Sequence, residues 1–314
     1  MDELVSVMTL TERIKLIASE IGFADVGIAK ADPMDVSFFC EWLAAGYAGT
    51  MGYLERNIEK RNDIREILPD ARSVIVIAEN YHTPFYHQKE DIGKISRYAW
   101  GDDYHDVVIE KLRRFCAEIE SVAPGCATKP YVDTGPTMDK QWAVRAGIGW
   151  QGKHSNIISR KFGSWFFIGL VITTAELVPD TPVQDFCGNC TACIDACPTS
   201  AIVKPYIVNG TKCLSYWTIE TKPDIEIPHE TARNMDGWIF GCDICQDVCP
   251  WNRFRKDTDD IRYFPRYDEI ILNTSTIDNM QQEDFSARFR KSPVKRTKLG
   301  GLKRNVRALN NGKS

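Results

Sequence analysis

The 314-residue chain lacks any run of about 18 uninterrupted apolar residues, so no membrane-spanning helix is expected. Its opening stretch, MDELVSVMTLTERIKLIASE, lacks a basic region followed by an apolar one, which argues against a secretory leader and for a cytoplasmic location. Histidine is scarce. The five present, His82, His87, His105, His154 and His229, show no H-x3-H spacing, so a separate zinc site is not expected. No internal repeat or low-complexity tract occurs. Acidic residues are absent after Asp284, where ten basic ones stand, so the remainder of the chain carries −14 (−4 minus +10). A basic end on an acidic body suits contact with a polyanion such as RNA; a solvated tail would give the same pattern.

Cysteine, by contrast, is abundant and clustered: eight of the eleven lie between 187 and 249. Disulfides would be dispersed and would need an oxidising compartment, so clustering points to metal. Cys187, Cys190, Cys193 and Cys197 form C-x2-C-x2-C-x3-C, followed by Pro198. This is the run by which bacterial ferredoxins wrap a [4Fe–4S] cube and send the fourth cysteine to a second one. Cys242, Cys245 and Cys249, followed by Pro250, form a second set whose missing member Cys213 can supply. Crossed pairing gives one cluster Cys187, Cys190, Cys193 and Cys249, and the other Cys197, Cys213, Cys242 and Cys245. Structural zinc is the competing reading, because zinc also favours C-x2-C pairs. Cys40, Cys116 and Cys126 remain as expected buried free thiols. With every cluster position taken by cysteine, no iron is open, so bond chemistry belongs to another centre.

Hydrophobic periodicity predicts helices over 9–22, 37–45, 103–121 and 137–146, and strands over 23–29, 73–81, 129–133, 155–159 and 165–172. Strands alternating with helices predict an α/β domain over 1–178. Prolines 179 and 182 mark a linker to a ferredoxin-like module over 179–255, and 256–314 is a weakly patterned basic segment. Asp133 ends a predicted strand, where α/β sheets face ligand crevices, and is a candidate general acid if burial raises its pKa. A turn or helix-cap aspartate fits the same pattern. Gly147, Gly149 and Gly152 match G-x-G-x-x-G, yet they follow a helix and precede a strand, the reverse of a dinucleotide site. Asp103-x-His105 is reminiscent of a cobalt-ligating motif but has Val108 where that motif needs glycine.

SRYAWGDDYH (96–105), VDTGP (132–136), AGIGWQGK (146–153), the two cysteine runs and SPVKRTKLGGLKRN (292–305) occur together and in order. In this the chain resembles the epoxyqueuosine reductase family, cobalamin-dependent enzymes of tRNA queuosine synthesis. The resemblance implies a cobalamin-binding, mixed-sheet α+β or α/β domain like that of reductive dehalogenases, fused to a two-[4Fe–4S] ferredoxin-like module. It implies reduction of epoxyqueuosine in the tRNA anticodon loop, with Asp133 as proton donor. Arg61, Ser96, Asp133, Gly152, Lys153, His154 and Ser215 fall in segments similar to the family's cobalamin contacts, although the family usually has asparagine where this chain has His154. A monomer fed by an external flavodoxin- or ferredoxin-type donor is expected. The chain resembles a short form without C-terminal helical repeats, leaving Lys295, Arg296, Lys303 and Arg304 as expected phosphate contacts. The alternatives are a dehalogenase-like cobalamin reductase, a ferredoxin-type electron-transfer fusion, and a zinc-containing RNA-binding protein.

Overall fold

The computed structural model describes residues 8–312. Helix α1 (Leu10–Ile21) opens with a capping box in which Thr9 and Glu12 satisfy each other's backbone N–H, and ends at Gly22 in the left-handed region. Strand β1 (Asp25–Lys30) follows, then α2 (Ser37–Ala44), β2 (Ser73–Asn80), α3 (Tyr104–Val122), β3 (Thr128–Val132), α4 (Asp139–Arg145) and β4 (Phe166–Thr173). The four strands form one sheet in the order β1-β2-β4-β3. The α/β alternation read from the sequence is present, but every pairing in this sheet is antiparallel. Parallel pairing occurs elsewhere, between residues 94–95 and 238–240.

Both faces of the sheet are covered, which is why β2 reads as an unbroken apolar run rather than an alternating one. Ile75 and Ile77 face α1 and α3, packing with Ile14, Leu112 and Phe115. Val74 and Val76 face the opposite side, packing with Trp142 and Ala143 of α4. Each such fully buried side chain contributes about 1.5–3 kcal/mol. Close approach fixes one position of β1: a Cβ on Gly27 would lie 2.0 Å from the Ala146 carbonyl oxygen.

The C-terminal segment differs from the weakly patterned basic tail expected of it. Helix α5 (Lys298–Asn311) is amphipathic, and Leu302, Val306 and Leu309 are buried with Ile95, Trp100, Leu214, Ile239 and Phe240. Arg304 is wholly buried. Its guanidinium donates to the carbonyls of Trp217 (2.7 Å), Lys222 (2.7 Å) and Ile225 (2.9 Å), and to Thr221 Oγ1 (2.8 Å). Asn305 donates to the carbonyls of Thr218 and Ile239, both at 2.8 Å. The Arg304-Asn305 pair thus ties the turn after Cys213 to the strand before Cys242.

Candidate functional site

Strand β3 ends at Val132, and the next residue, Asp133, has φ 53°, a left-handed conformation that costs a non-glycine residue energy. The turn delivers its carboxylate to the N-terminus of α3. There the N-cap Asp103 accepts from the His105 backbone N–H and, at 2.7 Å, faces His105 Nδ1 with the same oxygen. His105 Nε2 lies 3.3 Å from Asp133 Oδ2, and the Tyr104 hydroxyl donates to that oxygen at 2.7 Å. The Tyr104 ring is stacked between His105 and Phe167 of β4, at 4.0 and 4.3 Å.

These contacts invert the protonation expected of Asp133. Burial pushes its carboxyl up, but hydrogen bonds from His105 and Tyr104, with the positive charges of His105 and Arg296, outweigh it and hold the pKa below the usual value. His105 moves the other way. Burial lowers its pKa, but the Asp103 and Asp133 carboxylates overcome that and raise it to about 9. At neutral pH the proton therefore resides on His105. Sequence reasoning missed this pairing because it tested Asp103-x-His105 only as a metal motif; an N-cap aspartate two residues before a histidine was the available signal.

Asp133 and Lys140 are accessible to solvent yet closely surrounded by protein, as in an open cleft rather than on a convex surface. Lys140 Nζ donates to Asn156 Oδ1 at 3.0 Å and lies within electrostatic reach of Asp133, Cys245 and Cys213. Asp139, also near Asp133, is pushed up to about 6 by burial. Arg61 is buried, donates to the Thr137 carbonyl at 3.0 Å, and leaves Nε without a partner. His154 accepts from the Asn156 N–H through Nδ1, leaving Nε2 buried and unpartnered; burial lowers its pKa to about 4, so it is neutral. A Cβ on Gly152 would meet Ile158 Cδ1 at 2.6 Å.

Three of the residues expected at the cofactor lie against the cysteine loops. Lys153 spends its ammonium on the carbonyls of Gly188 (2.7 Å) and Cys190 (2.9 Å). Buried Ser96 donates to Asp243, between Cys242 and Cys245. The backbone N–H of Ser215 faces the Cys213 sulfur. Of the basic residues expected at phosphate, Arg304 is a buried structural group, and Arg296 pairs with Glu220 at 2.7 Å beside the Asp133 cleft. Lys295 is exposed and Lys303 half-buried.

Cys187, Cys190, Cys193 and Cys249 line one cavity, together with Lys153, His154, Pro250 and Trp251. Burial raises the pKa of Cys213, Cys242 and Cys245, and neighbouring thiols add to it: Cys197 acts on Cys213 and Cys245, and Cys213 acts on Cys242 and Cys245. Among the described residues, no three His, Cys, Asp or Glu side chains converge tightly enough for a single metal ion. The four thiols of the first set stand around a volume, as a cube requires. Of the remaining three cysteines, Cys116 is buried and Cys126 half-buried, but Cys40 is exposed, unlike the buried thiol expected.

Known proteins give the same picture. Residues 61–134 match the family model described as epoxyqueuosine reductase QueG, DUF1730, and residues 186–252 match a 4Fe-4S double cluster binding domain. The epoxyqueuosine reductase of Atelocyanobacterium thalassa is 42% identical over 307 residues, covering 96% of this chain and 99% of that one. A crystal structure of epoxyqueuosine reductase with an epoxyqueuosine-modified tRNA-Tyr stem loop superposes with TM-score 0.87 at 32% identity, covering 96% of this chain and 80% of that one. The Bacillus subtilis enzyme, solved with its catalytic aspartate loop swung out of the active site, gives TM-score 0.87 at 30% identity with the same coverage. Near-full-length identity, the double-cluster module and the fold together place this chain in the epoxyqueuosine reductase family.

Proposed function

We propose that this reductase converts epoxyqueuosine in tRNA to queuosine, with cobalamin held in the Asp133 cleft and two [4Fe–4S] clusters relaying electrons to it. The observation that carries the reading is the proton-bearing His105–Asp133 pair on a cleft that Lys140 links to the Cys213 and Cys245 side of the cluster module. The tRNA assignment is supported by the relative solved with a modified tRNA stem loop.

The cleft residues fit a large polar-edged cofactor. Arg61 Nε and His154 Nε2 are buried donors without partners, and a buried donor left unpaired costs about 1–3 kcal/mol. Amide or phosphate oxygens of cobalamin would satisfy both, and Gly152 leaves room beside His154 that a side chain would fill. When bound, cobalamin supplies low-valent cobalt, a strong nucleophile and electron source toward an epoxide carbon.

Converting the epoxide to an alkene takes up two electrons and two protons and releases water. The chain's residues manage the protons. Oxygen leaves readily only once protonated, and Asp133 reaches the substrate as a carboxylic acid, having drawn its proton from His105 Nε2. Asp103 then faces an imidazole that solvent recharges. The left-handed turn at Asp133 suits movement between His105 and the substrate. Exposed Lys295, Lys298 and Arg307 offer phosphate contacts, and Arg296 supplies one at the cleft mouth when Glu220 releases it. Each cluster passes one electron at a time, so a flavodoxin- or ferredoxin-type donor delivers twice per turnover.

The test is anaerobic turnover of epoxyqueuosine-containing tRNA by reconstituted protein with and without added cobalamin. Turnover that depends on cobalamin is expected; cobalamin-independent turnover, or none with both clusters loaded, would overturn the reading.

A further inference from the structure

Electrons must enter at the cysteine set nearer the surface. Cys190 of the first set is exposed. Cys197, Cys213, Cys242 and Cys245 of the second set are each half-buried. Beside the first set runs a contiguous aromatic strip. Phe186 lies 5.7 Å from Trp251, and Trp251 lies 5.6 Å from Phe254, ring centre to ring centre. Trp150 supports the strip from below, at 4.9 Å from Trp251. Trp251 also lines the cavity of the four cysteines. Phe186 and Phe254 are 37% and 40% exposed, so the strip presents contiguous apolar surface of the kind that marks interaction sites.

The ends of the strip are basic. The Arg160 guanidinium sits 4.9 Å over Phe186, and that of Arg253 sits 4.6 Å over Phe254. Among the described residues neither has an acidic partner within ion-pair distance, in contrast to Arg262 and Arg266. Carboxylates on the neighbouring loops have hydrogen-bond partners of their own: Asp185 accepts from the Tyr206 hydroxyl at 2.5 Å, and Asp257 faces His82 Nδ1 at 2.7 Å. The chain as a whole carries −4, so this is a local positive rim on a negative body. Such an arrangement repels an acidic protein in wrong orientations and captures it in one.

We propose that the Phe186–Trp251–Phe254 strip, with Arg160 and Arg253, is the docking face for a small acidic one-electron carrier protein that reduces the adjacent first cluster. This rests on the cluster assignment made above. In each encounter the carrier loses one electron and the oxidised cluster gains it; no bond forms or breaks and no proton is required. Arginine beside aromatic rings also suits single-stranded RNA. The carrier is favoured because the strip borders the first cysteine set, of which Cys190 is exposed, whereas Asp133 at the substrate cleft is linked through Lys140 to the second.

The experiment uses anaerobic holoenzyme and stopped-flow reduction by flavodoxin hydroquinone as the probe carrier. The wild-type bimolecular rate should fall as salt rises. Arg160→Gln with Arg253→Gln should lower that rate at least tenfold at low salt and flatten its salt dependence, and Phe254→Ala should lower it severalfold. Turnover with methyl viologen radical as reductant, too small to need the face, should be undiminished in both variants. A flavodoxin rate unchanged by the double substitution overturns the proposal. So does an equal loss with both reductants at full iron content, or a loss confined to affinity for a tRNA stem loop. Wild-type protein that viologen cannot drive to turnover would instead indict the proposed reaction, which keeps the two failures apart.

Discussion

His105 Nε2 stands 3.3 Å from Asp133 Oδ2 while its other ring nitrogen is fixed 2.7 Å from Asp103, so one imidazole bridges two carboxylates. Other charged groups in range are Arg266, which pairs with Asp102 and acts on Asp103, and Arg296, Lys140 and Asp139, which lie near Asp133. With the His105 pKa at about 9, turnover should hold steady through neutral pH and fall on an alkaline limb near 9. His105→Gln keeps a hydrogen-bond donor but holds no transferable proton. It should lower kcat by about 10²-fold, within the range of general acid effects, and abolish that limb. An unchanged pH profile in this variant would show that His105 only positions Asp133.

Asp133→Asn tests the other end of the pair. Asparagine can occupy the same left-handed turn at little cost, so iron and cobalamin content should be preserved. Turnover should drop by about 10²-fold or more. The His105 imidazole, observed by NMR, should titrate at lower pH once a flanking carboxylate is gone. Near-normal turnover would remove Asp133 from the proton path.

How far the sequence carried the reading depended on whether a signal was local. The Thr9–Glu12 capping box and the cysteine spacings were legible because neighbours in the chain create them. The antiparallel pairing of the main sheet was not, since β2 bears the same unbroken apolar run whether its partners run parallel or antiparallel. Arg304 looked like a phosphate ligand because composition registers its charge but not the carbonyls of Trp217, Lys222 and Ile225, which lie some 80 positions away. The inverted protonation of Asp133 was hidden for the same reason: its partner histidine belongs to another element.

Stability should carry the signature of the same histidine. In the unfolded chain His105 titrates near its ordinary value of about 6.5, and in the folded protein at about 9. The folded state therefore holds the proton more tightly. Its stabilising contribution is complete below about pH 6.5 and is lost as pH rises through 9. The Tm should decline across that window, and His105→Gln should flatten the decline. A Tm equally steep in the variant would mean other groups govern it.

Arg304→Met replaces a buried guanidinium with an apolar side chain of similar length and leaves the Trp217, Lys222 and Ile225 carbonyls without their donor. Each unsatisfied buried acceptor costs about 1–3 kcal/mol, so a loss of several kcal/mol is expected in denaturant melts. Because these carbonyls lie in the turn after Cys213, the second cluster should lose iron before the first. Exposed Lys295→Gln should leave stability unchanged and weaken binding of the tRNA stem loop, most visibly at low salt. Equal effects of the two substitutions on RNA affinity alone would return Arg304 to the phosphate-contact role.

The crossed cysteine pairing makes a prediction that neighbouring positions in the sequence would not. Cys197 lies four residues after Cys193 but is assigned with Cys213, Cys242 and Cys245, being within electrostatic reach of Cys213 and Cys245, whereas Cys249, more than 50 residues away, shares the cavity of Cys187, Cys190 and Cys193. Cys249→Ala should therefore empty the first cluster and Cys197→Ala the second, each losing about four of eight irons. The two single-cluster proteins should differ in a way that identifies which site remains. With only the first cluster, which borders the proposed docking face, flavodoxin should still reduce the iron rapidly while turnover stops, because the relay to the cleft is broken. With only the second cluster, away from that face, reduction by flavodoxin should itself become slow. If the two variants behaved alike in that reduction, the electron path from surface to cleft would not run in the order assigned here.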